Sequence, residues 1–149
     1  MAYQFRLETL LVYRRNLEEQ AQLALAHEIQ VLSDHQGALA DLKDTLQRIA
    51  DDFEKRKEKS MDAAFFTYCM DSIRRKEWEI AAQADVVKNQ QAVVDESRAK
   101  LGERVKDRKV IEKAREKDYQ KYLQEILRKE QNEGDEQAIL RAGRKDNLF

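Results

Sequence analysis

The sequence contains no proline, only four glycines and a single cysteine among its 149 residues. With so few turn-forming residues, a sheet joined by tight turns is disfavoured and long uninterrupted helices are permitted. The lone Cys69 excludes an intrachain disulfide, which fits a reducing cytoplasm. Aromatic residues make up 7% of the chain and charged residues 38%, so the composition is too polar for a thick globular core.

Several classes of function lack their sequence signals. The net charge of −1 lacks the excess of positive charge that is typical of nucleic-acid-binding proteins. No GxxxxGK[ST] loop is present to bind phosphate. His27 and His35 have no third ligand at metal spacing. We therefore predict a protein that is not an enzyme, with no catalytic residue, cofactor, metal, nucleic-acid partner or small-molecule substrate. The polar N-terminal segment is unlike a signal peptide, and no apolar stretch approaches the roughly 20 residues of a membrane span.

What the sequence does contain is a seven-residue apolar repeat in each half. The first repeat consists of Leu25, Leu32, Leu39, Leu46 and Phe53. The second repeat consists of Phe66, Ile73, Ile80, Val87, Val94 and Leu101. We expect Ile29 and Ala50, four residues after members of the first stripe, to widen it, with Gln36 and Lys43 as polar exceptions. Each stripe predicts a long amphipathic helix.

The two stripes predict an all-α fold, an antiparallel two-helix coiled-coil hairpin whose C-terminal helix is the longer. We expect one elongated domain over residues 1–149, with helices at about 7–58 and 63–133, a turn at about 58–63 and a tail at 134–149. Antiparallel pairing of Phe53 with Phe66 centres the hairpin in the charged segment EKRKEKSMDA. Within that segment Ser60 or Asp62 is expected to cap the second helix. Gly134 is the expected helix end, and the final NLF resembles a loose tail.

This register leaves residues beyond about 117 without a partner from the first helix. The segment KDYQKYLQEILRKE then places Tyr119, Tyr122, Leu123, Ile126 and Leu127 on one unpartnered helix face. If these side chains stay in water, the protein loses several kcal/mol of free energy that their burial would supply, at roughly 25 cal/mol per Å² of apolar surface. We therefore expect a partner protein, or a second copy of the chain, to cover this face.

A second candidate surface lies in the loop half of the hairpin. Trp78 falls about 160° around the helix from Ile80 and should face outward. Leu42 and Ile49 lie to one side of the first stripe, and the antiparallel register places them level with Glu77 and Met70, respectively. An outward tryptophan beside aliphatic side chains is a candidate partner anchor. The alternative is an indole that lies flat over the aliphatic stems of Lys and Arg.

Two segments resemble the FliJ family of flagellar type III export proteins. FRLETLLVYRRNLEEQAQLALA, residues 5–26, resembles the start of that family, and EQNEGDEQA, residues 130–138, resembles its ending. The helix lengths between them also match, so the resemblance covers essentially the whole chain. Gly134 departs from the family pattern, which usually has an apolar residue before the Asp-Glu pair.

The resemblance implies a cytoplasmic protein at the flagellar base, peripherally associated with the inner face of the cell membrane. FliJ-like proteins are similar to the central stalk of rotary ATP synthases: they bind the export ATPase FliI, promote its hexameric ring, contact the export gate FlhA and bind export chaperones. By that analogy, the expected ATPase-binding residues are Leu7, Leu10, Leu11, Arg14, Tyr119, Tyr122, Leu123 and Ile126. The expected gate-binding residues are Leu42, Ile49, Met70 and Trp78.

Two other readings of the sequence stay open. A stalk protein of a virulence-type injectisome would share the mechanism and differ in its partners. A self-associating structural coiled coil would instead use the face from Tyr119 to Leu127 to form a dimer.

Overall fold

A computed structural model describes the backbone of residues 2–146 and the side chains of residues 2–145. Helix α1 spans Glu8–Lys57 and helix α2 spans Ala63–Asp146, and the described residues contain no strand. The predicted fold class is confirmed: the protein is an all-helical, antiparallel two-helix hairpin in which the second helix is the longer.

The chain forms two compact units. The terminal unit comprises Met1–Glu18 with Arg104–Phe149, and the loop unit comprises Glu19–Glu103. In the loop unit the rings of Phe53 and Phe66 lie 5.5 Å apart, as the predicted antiparallel pairing requires. The prediction of one elongated domain stays a prediction.

The contact seam of the loop unit, meaning the residues through which α1 and α2 touch, differs in part from the predicted one. Leu32, Phe53 and Val94 are buried as expected, but Ile29 is 43% exposed. Ala50, four residues after Leu46, is half-buried as predicted. Four other half-buried positions beside the stripe lie three residues after its members, at Glu28, His35, Leu42 and Ile49. The reason lies in α2. Two glutamine side chains there donate hydrogen bonds to the backbone carbonyls of Glu28 and His35, which holds that edge of α1 against α2.

The connection between the helices lies where the sequence predicts it. Helix α2 begins directly after Asp62, which therefore occupies the N-cap position, and the Phe66 N–H donates to the Asp62 carbonyl at 2.9 Å. Ser60 lies inside the loop with a φ of 35°, in the left-handed region that a non-glycine residue seldom adopts.

The predicted helix end at residue 133 is wrong, because α2 continues through Gly134 to Asp146. An interior glycine costs a helix only about 1 kcal/mol relative to alanine. The flanking residues are mostly Glu, Gln, Ala, Leu and Arg, which favour helix strongly enough to offset that cost. Every described side chain from residue 127 onward is exposed. The expected loose tail NLF, residues 147–149, lies outside the described residues.

Candidate partner-binding surfaces

A small apolar core holds the two helices of the terminal unit together. The Leu11 side chain of α1 is fully buried, and Ile111 of α2 is 6% exposed. The sequence places apolar residues at both positions but surrounds them with charges. The core is therefore thin, and polar contacts must fix how the helices meet.

A network of charged side chains flanks this core. Arg108 donates to Glu18 on α1, and its Nη1 donates to Glu112 Oε2 at 2.7 Å. Arg15 lies 3.3 Å from the other oxygen of Glu112, and Arg115 lies 3.5 Å from Glu8. The hydrogen bonds to Glu18 and then Glu112 raise the pKa of Arg108 above its ordinary value. We name these residues the charge network; it joins α1 to α2 through three ion pairs.

The charge network also lowers the pKa of Glu112. The main cause is the hydrogen bond from Arg108, which outweighs the opposing effect of desolvation, and a hydrogen bond from Arg15 adds to it. Glu112 therefore stays ionised between two guanidinium groups of opposite helices. A carboxylate in this position accepts two charge-assisted hydrogen bonds and fixes the pairing of α1 with α2.

A cluster of three tyrosines lies beyond the charge network. Tyr3, in the non-helical segment before α1, has its ring centroid 5.0 Å from that of Tyr119 and 5.1 Å from that of Tyr122. The Tyr3 hydroxyl donates to Asp118 Oδ2 at 2.8 Å. Burial and this hydrogen bond raise the pKa of Tyr3. The sequence pattern did not predict the place of Tyr3, because heptad periodicity carries no information about residues outside the helices.

The predicted overhang is therefore only partly uncovered. The segment that precedes α1, and not α1 itself, reaches back over Tyr119 and Tyr122. Further along the same face Ile126 is half-buried, whereas Leu123 is 41% exposed and Leu127 is 64% exposed. An apolar surface remains from Tyr119 to Leu127, shielded at its N-terminal end.

The expected ATPase-binding residues of α1 occupy three different environments. Leu7, just before the helix, is 37% exposed and Leu10 is half-buried, so both present surface. Leu11 is fully buried and can support a partner surface only from beneath. Arg14 is half-buried, and its Nη1 donates to the Asp107 carbonyl on α2 at 2.7 Å. Its guanidinium is thus already engaged within the hairpin.

The expected gate-binding residues lie in the loop unit. Trp78 is 82% exposed, which confirms that its indole faces outward. Leu42, Ile49 and Met70 are half-buried, and Leu42 and Ile49 belong to the contact seam of α1. These three residues therefore present only part of their side chains to solvent.

Aromatic residues near the loop form a further surface that sequence reasoning missed. Ile49 borders a cleft of about 280 Å³ that is also lined by Phe53, Phe65 and Tyr68. The Tyr68 side chain is 67% exposed, and the guanidinium of Arg56 lies 5.4 Å from the centre of the Phe65 ring. The sequence signal was present in FFTYC, residues 65–69, where Phe65 and Tyr68 lie three residues apart on one side of the helix stripe.

The described part of the chain has neither a metal-binding cluster nor a helix that could cross a membrane. No group of three or more His, Cys, Asp and Glu side chains there is arranged to hold a metal ion. Neither described helix contains a segment apolar and long enough to cross a membrane.

Comparison with known families agrees with this arrangement. A family model described as Flagellar FliJ protein matches residues 3–147, nearly the whole chain. The chain belongs to the FliJ family. It is thus a coiled-coil protein related to flagellar export, as the resemblance in its terminal segments predicted. Searches among curated proteins and among solved structures returned no match.

Proposed function

We propose that this FliJ-family protein is a cytoplasmic, non-enzymatic subunit of the flagellar type III export apparatus, and that it binds the export ATPase FliI as a central-stalk-like element. The observation that carries the proposal is the α2 face from Tyr119 to Leu127. It presents apolar side chains beyond Ile111, the last buried residue in the described part of α2: Tyr119 is 44% exposed, Leu123 41% and Leu127 64%. Exposed apolar surface of this kind marks an interaction site.

The ATPase surface would consist of the accessible members of the predicted set. Leu7 and Leu10 lie at the start of α1, and Tyr119, Leu123 and Ile126 lie on α2. Tyr122 belongs to the same face, while Leu11 and Arg14 hold the two helices together beneath it. Binding would promote assembly of the ATPase ring, because a subunit that contacts several ATPase chains stabilises their association.

A single hairpin inside a six-fold ring cannot contact all six ATPase chains equally. Suppose that the hairpin binds an ATPase chain more tightly in one nucleotide state than in another. By linkage, contact with the hairpin must then change the affinity of that chain for the nucleotide by the same factor. The protein would thereby couple ATP turnover to export without performing chemistry itself.

We propose that the loop unit makes the second connection, to the export gate FlhA, with Trp78 as the exposed anchor. Export chaperones complete the proposed set of partners, and the protein would associate with the membrane only through the apparatus.

The test of ATPase binding compares two aspartate substitutions on α2. Ile126→Asp places a charge on the proposed surface, whereas Ile139→Asp places one on the same helix at a side chain that is 70% exposed. We expect Ile126→Asp to weaken ATPase binding and stimulation by about tenfold or more, about 1.4 kcal/mol. We expect Ile139→Asp to leave both unchanged, and circular dichroism should show full helicity for each variant.

Light scattering with a non-hydrolysable nucleotide provides the second readout. We expect the protein to join a ring-sized assembly of the ATPase. A tight dimer that ignores the ATPase would contradict the proposal and would assign the face to self-association. Loss of helicity in Ile126→Asp would instead show that Ile126 belongs to the hairpin core.

The gate connection is tested with Trp78→Ala and the control Val110→Ala, whose original side chain is 62% exposed in the terminal unit. We expect Trp78→Ala to weaken binding to the gate by roughly tenfold, which is a typical loss for an aromatic anchor, and to leave the melting temperature unchanged. Equal affinities for the two variants would remove Trp78 from the gate interface.

A further inference from the structure

The segment before α1 contacts α2 through a tyrosine side chain. Residues 2–7, which we call the strap, are not helical, and α1 begins only at Glu8. The Glu8 N–H donates to the Phe5 carbonyl at 3.2 Å, which closes the turn into the helix. Across the hairpin, the strap reaches α2 through the ring and hydroxyl of Tyr3.

The strap is loosely packed on both sides of Tyr3. A cleft of about 330 Å³ lies beside it, lined by Gln4, Phe5, Glu8 and Arg115 together with Tyr3. A second cleft of about 450 Å³ also borders Tyr3, and its other walls come from the charge network and from Tyr119 and Glu116. Loose packing of this kind gives few dispersion contacts. The closed position therefore rests mainly on the tyrosine cluster and on the hydrogen bonds that the Tyr3 hydroxyl donates to Asp118 Oδ2 at 2.8 Å and to the Arg115 carbonyl at 3.5 Å.

The hairpin does not depend on the strap for its own pairing. The buried core of the terminal unit begins at Leu11, and the charge network begins at Glu8. Both lie after the strap in the sequence. The strap can therefore leave α2 while Leu11, Ile111 and the ion pairs between the helices stay in place.

The strap covers part of the proposed ATPase surface. Tyr3 packs on Tyr119 and Tyr122, which lie on the same helix face as Leu123 and Ile126. An ATPase chain that uses the full face must meet these two tyrosine rings. Because Tyr3 already contacts both rings, the ATPase and the strap compete for them.

We infer that the strap is a displaceable cover that limits access of the export ATPase to Tyr119 and Tyr122. This inference rests on the proposed function. In the free protein the closed strap shields an apolar surface and reduces the fraction of molecules that are ready to bind. The apparent dissociation constant rises by the inverse of that fraction. Binding requires the strap to open, so a substitution that weakens the contacts of the strap with α2 should raise the affinity.

The first experiment measures ATPase affinity for four proteins. Tyr3→Ala removes the ring that closes the strap, and Tyr3→Phe removes only the hydroxyl that donates to Asp118. Tyr13→Ala is the matched control, because Tyr13 lies on α1 and is 58% exposed. Relative to wild type, we expect binding about threefold to tenfold tighter for Tyr3→Ala, a smaller gain for Tyr3→Phe and no change for Tyr13→Ala.

The second experiment follows the strap without relying on affinity. Nitration by tetranitromethane, mapped on peptides by mass spectrometry, reports the accessibility of each tyrosine. In free Tyr3→Ala, we expect Tyr119 and Tyr122 to react about threefold faster than in wild type, while Tyr13 and Tyr68 keep their rates. When wild type binds the ATPase, Tyr3 should react faster and Tyr119 and Tyr122 should be protected.

These outcomes separate the strap from the proposed function. If wild type and Tyr3→Ala both bind the ATPase with equal affinity, or if Tyr3→Ala binds more weakly, the strap is not a cover and the inference is overturned. Protection of Tyr3 along with Tyr119 in the complex would also overturn it, since the strap would then be part of the bound surface. If neither protein binds the ATPase, the proposed function fails, and the inference fails with it.

Discussion

In the loop unit, the polar hydrogen bonds between α1 and α2 come from uncharged amides, whereas in the terminal unit most come from guanidinium groups. Gln83 donates to the His35 carbonyl at 3.0 Å, and Gln90 donates to both the carbonyl and the carboxylate of Glu28. The terminal unit instead uses the charge network, with Arg108 between two carboxylates. Amide donors do not titrate and are little affected by salt, while exposed ion pairs are screened by salt.

The difference matches what each unit is proposed to do. Amide hydrogen bonds to backbone carbonyls of α1 fix one register of the two helices, much as a single buried polar residue fixes register in other coiled coils. The ion pairs of the terminal unit are partly exposed and individually weak. They orient the helices beneath a surface that a partner is proposed to cover. Three predictions test whether this contrast is real.

The largest expected effect concerns the thin core of the terminal unit. Leu11→Ala should lower the free energy of unfolding by about 2–4 kcal/mol, because it leaves a cavity at a fully buried leucine. Urea unfolding followed by circular dichroism measures the loss. Leu23→Ala, at a leucine that is 69% exposed, is the control and should cost less than about 1 kcal/mol.

A Leu11→Ala loss as small as that of the control would change the comparison. It would mean that the charge network, and not the apolar core, carries the stability of the terminal unit. The weak energies of partly exposed ion pairs argue against that result.

An intermediate effect is expected at the amide contacts of the loop unit. Gln90→Glu removes the N–H donors and places a carboxylate against that of Glu28, so unfolding should become easier by roughly 1–3 kcal/mol at neutral pH. Gln90→Leu is the control of similar size. It removes the same N–H donors from Glu28 but adds no second carboxylate, so it should cost less than Gln90→Glu, because Glu28 is only half-buried and water can reach its acceptors. A larger loss for Gln90→Leu than for Gln90→Glu would show that packing, and not hydrogen bonding, matters at this position.

The helices and their pairing were predictable because they follow from periodicity. A seven-residue apolar repeat defines a helix face, and the break between the repeats located the turn near Ser60. Which side of α1 faces α2 was harder to predict, because Glu28 and Ile29 flank the same stripe and hydrophobicity favours the isoleucine. The structure turns Glu28 inward because Gln90 donates to its backbone carbonyl, and a backbone acceptor leaves no trace in the sequence.

The candidate surfaces were predictable only in part. Exposure of Trp78 followed from its angle to the seam, and the apolar face after residue 117 followed from helix spacing. Tyr3 could not be placed, because a non-helical segment has no repeat that would indicate its direction. The predicted end of α2 at residue 133 is wrong because the helix-favouring residues around Gly134 offset the cost of one interior glycine.

The smallest expected effect is a dependence on pH confined to the terminal unit. The pKa of Glu112 lies below its ordinary value, mainly because Arg108 donates to it, so folding favours the ionised carboxylate. Its contribution is present above the ordinary carboxyl pKa and is lost as the pH falls through about 4 and below. Glu112→Gln should therefore be less stable than wild type at pH 7, and the difference should shrink towards zero in acid.

Urea unfolding at several pH values measures this difference, and the exposed Glu125, changed to Gln, provides the control. High salt should have the same effect as acid, because at 1 M the Debye length is only about 3 Å and partly exposed pairs are screened. A deficit of Glu112→Gln that persists in both acid and salt would mean that the shape of the side chain, and not its charge, matters. The terminal unit would then resemble the loop unit, and the contrast between their polar contacts would have no consequence for stability.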